Sequence, residues 1–328
     1  MTEYILRRLL LNLVVIWLAA SFVFVTMRVL PGDFAAQQVS NQFLAGAGGS
    51  ETPEEALQVA RERLGLNHSV PVQYGKYWWD IARGDFGRSF LTSRTAIDHI
   101  KDALPYSLQL GLMQLTIALV VALPVGIISA IRQDTLIDNV FRIFAITGLA
   151  APSFWTASLL VLVVLRTDIW EIDIVGHPGI WEDPVGSLQL FIIPALAGGI
   201  ASGAVLMRML RSQMLDVLRQ DYVRTAWSKG LRERNIIIRH TLKNAMIPVV
   251  TIIGFLVAAM IGGTVILEQM FNIPGMGQNL LRSIMMRDVP LAQTFALVLA
   301  AGVVTINLIV DISYFFIDPR VTVQGSAT

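Results

Sequence analysis

Six stretches of this sequence run far enough without a charge to cross a lipid bilayer. They occupy residues 9–27, 108–131, 143–165, 187–207, 245–267 and 289–310. Crossing the hydrocarbon takes about 20 apolar residues as a helix. Lipid offers no partner for an open peptide group, so each stretch is confined to helix. The expected fold class is therefore an all-α integral membrane protein with six transmembrane helices. Composition agrees: 54% of the residues are hydrophobic and 15% are charged, whereas an ordinary soluble domain carries about 25% charged residues. Pro124, Pro152, Pro194, Pro248, Gly198, Gly199, Gly262 and Gly263 fall inside the stretches. Neighbouring helices in a membrane can satisfy the backbone groups that such residues free.

Basic residues near the span ends set the orientation. Arg7 and Arg8 precede the first span, and Arg132 and Arg142 lie between the second and third. After the fourth come Arg208, Arg211, Arg219, Arg224, Lys229, Arg232, Arg234, Arg239 and Lys243, against Asp216, Asp221 and Glu233. The loop after the third span is acidic, with Asp168, Glu171, Asp173, Glu182 and Asp183 against Arg166. Both termini are thus expected in the cytoplasm and residues 31–105 outside. The first span has the basic start of a signal peptide, but its apolar run exceeds the usual 7–15 residues.

The external segment reads as a small helical subdomain after the first helix. Residues 46–50, GAGGS, form a flexible link. Thr52, Pro53 and Glu55 have the N-cap, N1 and N3 pattern of a capping box. Ala56, Leu57, Ala60 and Leu64 make an apolar stripe that Gly65 can end. Tyr74, Tyr77, Trp78 and Trp79 suit amphipathic rings at the membrane surface; stacking on a ligand is the other reading. Residues 84–87, GDFG, form a turn. Ala96, Ile97, Ile100 and Ala103 suggest a second short helix feeding the second span.

Several chemistries are missing. There is no cysteine, hence no disulfide or thiolate chemistry. No phosphate loop of the form G-x-x-x-x-G-K-[ST] and no G-x-S-x-G elbow occurs. His68, His99, His177 and His240 show no metal-ligand spacing; His177 with Asp173 and Asp183 reads as a solvated loop. A net charge of +1 implies no nucleic-acid partner. No ionisable residue sits mid-span, whereas ion-coupled carriers and pumps usually place one there. Energy is expected to come from elsewhere, and no cofactor is expected.

The basic loop is the remaining feature. Met214, Val217, Leu218, Tyr222 and Thr225 recur at helical spacing, Gly230 breaks the pattern, and a helix restarts near Asn235. A basic, partly apolar helix–turn–helix fits a groove on a soluble partner. It fits an anchor on anionic lipid equally well.

Residues 221–226, DYVRTA, followed by Lys229-Gly230-Leu231 and by Arg239-His240-x-Leu242-x-Asn244-Ala245-x-x-Pro248, resemble the cytoplasmic signature of binding-protein-dependent ABC importer permeases. The detail is similar to the first-permease, oligopeptide-permease-B-like subunit of the dipeptide/oligopeptide/nickel group. Trp227-Ser228 depart from the Arg-Ala frequent there. Further motifs of the group appear in order: residues 30–33 (LPGD), 64–66 (LGL), 83–87 (RGDFG), 151–154 (APSF), Glu268-x-x-Phe271-x-x-Pro274-Gly275-Met276-Gly277, Arg287-Asp288-x-Pro290 and 318–320 (DPR).

The resemblance implies a type I ABC importer transmembrane fold in a bacterial or archaeal inner membrane. It divides the chain into an N-terminal helix with external cap, 1–93, a transmembrane domain, 94–311, with a coupling loop at 208–245, and a tail, 312–328. It implies a second related permease, two cytoplasmic ATPase subunits and an external solute-binding protein, with lipid around them. ATP hydrolysis then belongs to the partners and this chain is no enzyme. Arg224, Thr225, Ala226, Gly230, His240 and Leu242 are the expected coupling residues. Gly230 would be the turn, Thr225 and Ala226 small residues for close approach, and Arg224 and His240 polar contacts. Pro152 and Phe154 are candidates to kink and gate the pathway; a packing role fits them equally. Peptides are the expected cargo, with nickel chelates, oligosaccharides or opine-like solutes as alternatives. An ion-coupled carrier or channel is the reading of another class, and it lacks pore charges and inverted repeats. A membrane enzyme would need a polar catalytic set within the spans.

Overall fold

Helix follows helix through the chain, as hydrocarbon requires. A computed structural model describes residues 2–29, 35–36, 39, 52–63, 66–92, 94–167, 179–180 and 182–317. The readings made on residues 30–33, 46–50, Leu64, Gly65, Asp168, Glu171, Asp173, His177 and 318–320 lie outside these. The helices are α1 (Thr2–Val29), α2 (Pro53–Arg63), α3 (Val70–Ala82), α4 (Ala96–Ile131), α5 (Leu136–Ala150), α6 (Ser153–Thr167), α7 (Pro184–Leu218), α8 (Asp221–Ser228), α9 (Lys243–Gly263), α10 (Val265–Met270), α11 (Met276–Met285) and α12 (Val289–Ile317). A turn at Glu233–Asn235 and a π-helical segment at Ile236–Leu242 lead into α9. Among the described residues the only strand-like pairing is an isolated bridge between Arg88 and Thr95.

The chain divides into two compact units. One comprises Met1–Pro105 with Pro274–Val304, the other Tyr106–Ile273 with Thr305–Thr328.

In the first unit, α2 opens with the expected capping box. The Thr52 N–H donates to Glu55 Oε2 at 3.1 Å and the Glu55 N–H donates to Thr52 Oγ1 at 3.4 Å. The Thr52 backbone bond, then its hydroxyl, hold the Glu55 carboxyl below its ordinary range. The aromatic run sits on α3 and packs on α1. Phe24 lies 5.3 Å from Tyr74 and 5.5 Å from Tyr77, centroid to centroid. The Tyr74 hydroxyl is 2.6 Å from Ser21 Oγ, and burial pushes the Tyr77 phenol up to about 12. Trp79 stays exposed beneath the Arg83 guanidinium.

Two sequence motifs far apart in the chain form one joint in this unit. Asp288 is buried and accepts from Ser89 Oγ at 2.5 Å and from the Phe90 N–H at 3.2 Å. Thr294 Oγ1 donates to the Phe86 carbonyl at 2.8 Å. A Cβ on Gly87, whose φ is 80°, would stand 3.1 Å from Pro290. The short helix expected from Ala96 is no separate element: it is the start of the 36-residue α4.

In the second unit α7 is the centre, packed against α5, α6 and α9. Its small residues let α4 approach closely. A Cβ on Gly199 would stand 2.7 Å from Ile117 Cγ2 and 3.0 Å from the Gln114 carbonyl.

The third stretch departs from the expected single span. α5 and α6 meet at 108°. Ala151 is extended, with φ −82° and ψ 122°, the conformation that a following proline enforces. The Pro152 carbonyl then accepts from Trp155 and Thr156, both at 3.0 Å, and so opens α6. The fifth stretch also breaks, at Thr264 between α9 and α10. Among the described residues, five helices are long and apolar enough to cross a membrane, and six if α5 and α6 count as one broken span. The stretch from Met214 to Thr225 is likewise two helices, parted at Arg219 and Gln220.

Gly199→Val is expected to destabilise the fold by about 1–3 kcal/mol through overpacking. Gly75→Val, where a Cβ would meet nothing within 4 Å, should not. Thermal unfolding of the two purified variants checks this.

Candidate functional site

The basic loop is a folded hairpin of helices. α7 ends at Leu218, Gln220 turns extended as the N-cap, and α8 begins. The inner face of α8 is apolar: Val223 and Ala226 are buried with Ile236 and pack on Val217 and Leu218. The outer face carries Tyr222, Arg224, Thr225, Trp227 and Ser228, all exposed.

Gly230 ends α8. The Gly230 N–H donates to the Trp227 carbonyl at 2.9 Å and the Leu231 N–H to the Ala226 carbonyl at 3.3 Å. This pair of bonds is a Schellman motif, whose C′ residue is left-handed. Gly230 has φ 72° and nothing stands within 4 Å of where its Cβ would be. What demands glycine here is therefore backbone conformation, since space is open.

A polar latch closes the hairpin. Asn244 Nδ2 donates to the Tyr222 hydroxyl at 2.8 Å and to the His240 carbonyl at 2.9 Å. The Tyr222 hydroxyl also points to that carbonyl, at 3.5 Å. His240 lies within the π-helical segment Ile236–Leu242; such segments are frequent at functional sites.

The expected coupling residues divide by direction. Arg224 and Thr225 lie on the outer face; Arg224 is 3.8 Å from Asp221, and Thr225 Oγ1 donates to the Asp221 carbonyl at 2.9 Å. Gly230 is exposed at the turn. Ala226 and Leu242 point into the chain, Leu242 against the cluster around Leu206 and Leu210. The small size of Ala226 lets α8 pack closely on Ile236. His240 is half-buried and contributes its carbonyl to the latch. Pro152 and Phe154 lie apart from the loop, at the α5–α6 bend, with Phe154 exposed.

One polar centre escaped the reading of the sequence. Asp138 is fully buried. Arg211 Nε donates to its Oδ1 at 2.8 Å and the Arg211 terminal nitrogen to its Oδ2 at 2.7 Å. Ser129 Oγ donates to Oδ1 at 2.5 Å, and the Asp134 N–H to Oδ2 at 3.0 Å. The centre ties α4, α5 and α7 together. The only local signal is Thr135-x-x-Asp138, which reads as a helix start, and the Asp138 N–H does donate to Thr135 Oγ1 at 3.4 Å. Its arginine partner lies 73 residues on and looks like one more basic loop residue. Glu268 is a second fully buried carboxyl, accepting from Ser107 Oγ at 2.6 Å and Thr264 Oγ1 at 2.7 Å.

Gly230→Ala forces a side chain into the left-handed region, at about 1–2 kcal/mol. Amide exchange across residues 221–231 should quicken by roughly 5–30-fold, while α7 is unchanged. Hydrogen-exchange mass spectrometry reads both.

Comparison with known proteins adds an independent line. The family of binding-protein-dependent transport system inner membrane components matches residues 122–323, and the N-terminal region of such membrane components matches residues 1–111. A Brucella abortus (strain 2308) protein that carries the provisional name peptide transport system permease protein is 36% identical over 321 residues, covering 98% of this chain and 99% of its own. The glutathione transport system permease protein GsiC of Salmonella typhi is 33% identical over 321 residues, with the same coverage. A Brucella suis biovar 1 (strain 1330) protein provisionally named a peptide permease is 35% identical over 326 residues, 98% of this chain and 100% of its own.

Proposed function

The chain belongs to the family of binding-protein-dependent transport system inner membrane components, and from that premise we propose that it forms half of the pathway of an ATP-driven importer of di- and oligopeptides. The names carried by the relatives, peptide and glutathione permeases, support a peptide cargo; glutathione is itself a tripeptide. In this reading a second homologous permease completes the pathway. Two ATPase subunits dock on the cytoplasmic side and a solute-binding protein delivers cargo from outside. Residues 1–93 act as an N-terminal helix with an external cap, and residues 94–311 as the transporting domain.

Both termini and the basic loop face the cytoplasm. The support is the excess of Arg and Lys in that loop and the acidic loop before α7. The observation that carries the reading is the outer face of the hairpin. Exposed Tyr222, Trp227 and Leu231 lie among Arg224, Lys229 and Arg232, on a turn pinned by Gly230 and latched by Asn244. A lipid anchor needs only charge and an apolar stripe. A turn of fixed geometry with its own polar latch is what a protein groove requires. Arg224 and Thr225 would touch the ATPase, Gly230 would shape the turn, and Ala226, His240 and Leu242 would hold the hairpin to its base. The bend at Pro152, with Phe154 beside it, would be the hinge of the pathway.

The test is uptake in reconstituted vesicles containing the second permease, both ATPases and the binding protein. Wild type is expected to hydrolyse ATP in response to loaded binding protein and to accumulate labelled peptide. Gly230→Val should remain in the membrane but lose uptake by more than about tenfold. Normal uptake by that variant would sink the docking reading. Accumulation of a nickel chelate in place of any peptide would overturn the cargo.

A further inference from the structure

Asp138 and Arg211 have no part in the docking surface, yet the loop rests on the helix that holds Arg211. Val223 and Ala226 of α8 sit with Ile236 on Val217 and Leu218, the last residues of α7. A load on α8 is therefore felt at the end of α7. Arg211 lies seven residues before Leu218 on the same helix, about two turns away. There it grips Asp138 through two parallel bonds of 2.8 and 2.7 Å. Asp138 stands in the first turn of α5, which runs to the bend at Pro152 and on into α6.

Apolar packing between α5 and α7 has no preferred direction and permits sliding. A two-pronged guanidinium–carboxylate pair fixes both distance and orientation. The carboxylate is also full. Oδ1 takes Ser129 Oγ and Arg211 Nε; Oδ2 takes the Arg211 terminal nitrogen and the Asp134 N–H. An ionised carboxyl accepts about four such bonds, so no acceptor position is left for cargo. The centre is thus suited to a mechanical link and ill suited to a binding site.

We propose that the Asp138–Arg211 pair is a positioning element that makes α5 move with the docking hairpin, so that closure of the ATPases is passed to the α5–α6 bend. The inference rests on the importer reading above. Ser129 acts as its support by orienting Oδ1 from α4.

The experiment uses the complete reconstituted complex and two readouts. The first is peptide imported per ATP hydrolysed. The second is the distance between spin labels at Asn139→Cys on α5 and Gln220→Cys at the start of α8, introduced into a chain with no cysteine of its own. Arg211→Lys keeps the charge and loses the fork; Ser129→Ala is the milder second variant. With the native pair, the labels should give one narrow distance that is the same with and without ATP. Arg211→Lys should still assemble and hydrolyse ATP, while peptide per ATP falls about fivefold or more and the distance distribution broadens. Ser129→Ala should shift both readouts in the same direction by less. If Arg211→Lys lowers only the yield of assembled complex, with its ratio and distances unchanged, the pair is a structural staple and the proposal is overturned. If Arg211→Lys does not assemble, Ser129→Ala decides: unchanged readouts overturn the proposal. If the native complex neither hydrolyses ATP on binding-protein addition nor imports peptide, the importer reading itself falls.

Discussion

In hydrocarbon an open peptide group has no water to turn to, and the whole fold follows from where the chain must nevertheless break its helices. Each break is repaired locally. At Ala151-Pro152 the proline forces the extended residue, and its own carbonyl then starts the next helix. At Thr264 the threonine hydroxyl and Ser107 are taken by the Glu268 carboxyl. Among the described residues, four helices end on a left-handed residue, Gly84, Gly230, Asn272 and Arg287. In each, the residue after it donates back to the carbonyl five positions earlier: Asp85 to Asp80, Leu231 to Ala226, Ile273 to Glu268, Asp288 to Ser283. Two of these ends use a non-glycine residue and accept its strain; at the other two, Gly84 and Gly230, the glycine is exposed and a Cβ would meet nothing within 4 Å.

The same constraint separates the protein's two kinds of surface. Apart from buried carboxyls such as Asp138 and Glu268, the spans work by shape: small residues of α7 that admit α4, and a proline that bends α5 into α6. Charge is concentrated in the loop after α7, where water can solvate it. In the importer reading, a permease built this way is driven by its partners. Its long apolar helices can be tilted by a partner, but only through an element rigid enough to be pushed. The hairpin of α8 meets that need through a buried inner face, a Schellman turn and the Asn244 latch. Its outer face keeps the apolar rings of Tyr222 and Trp227 exposed, at a cost that contact with a partner would remove in the importer reading.

The parts of this architecture written in local pattern were legible beforehand. Six uncharged stretches, the Thr52–Glu55 capping box, the turn at residues 84–87 and the break at Gly230 each depend on neighbours in sequence. The parts that failed to show depend on residues far apart. Nothing near Asp138 announces Arg211, and nothing near Ser89 announces Asp288, 199 residues away. The third stretch looked like one span because hydropathy is blind to direction; Pro152 was noted, but a proline can kink a membrane helix mildly or turn it through 108°. The burial of Ala226 is a further outcome of this kind. Its place on the inner face depends on the register of α8, which the break at Arg219-Gln220 resets.

The claim at the centre of this account is that the hairpin's outer face meets an ATPase. A single cysteine at Trp227, in a chain that has none, can carry a short photo-crosslinker in membranes that contain the assembled complex. The account predicts one dominant adduct, with an ATPase subunit, whose yield changes when ATP is added. Adducts with lipid alone, at a yield indifferent to ATP, would contradict it.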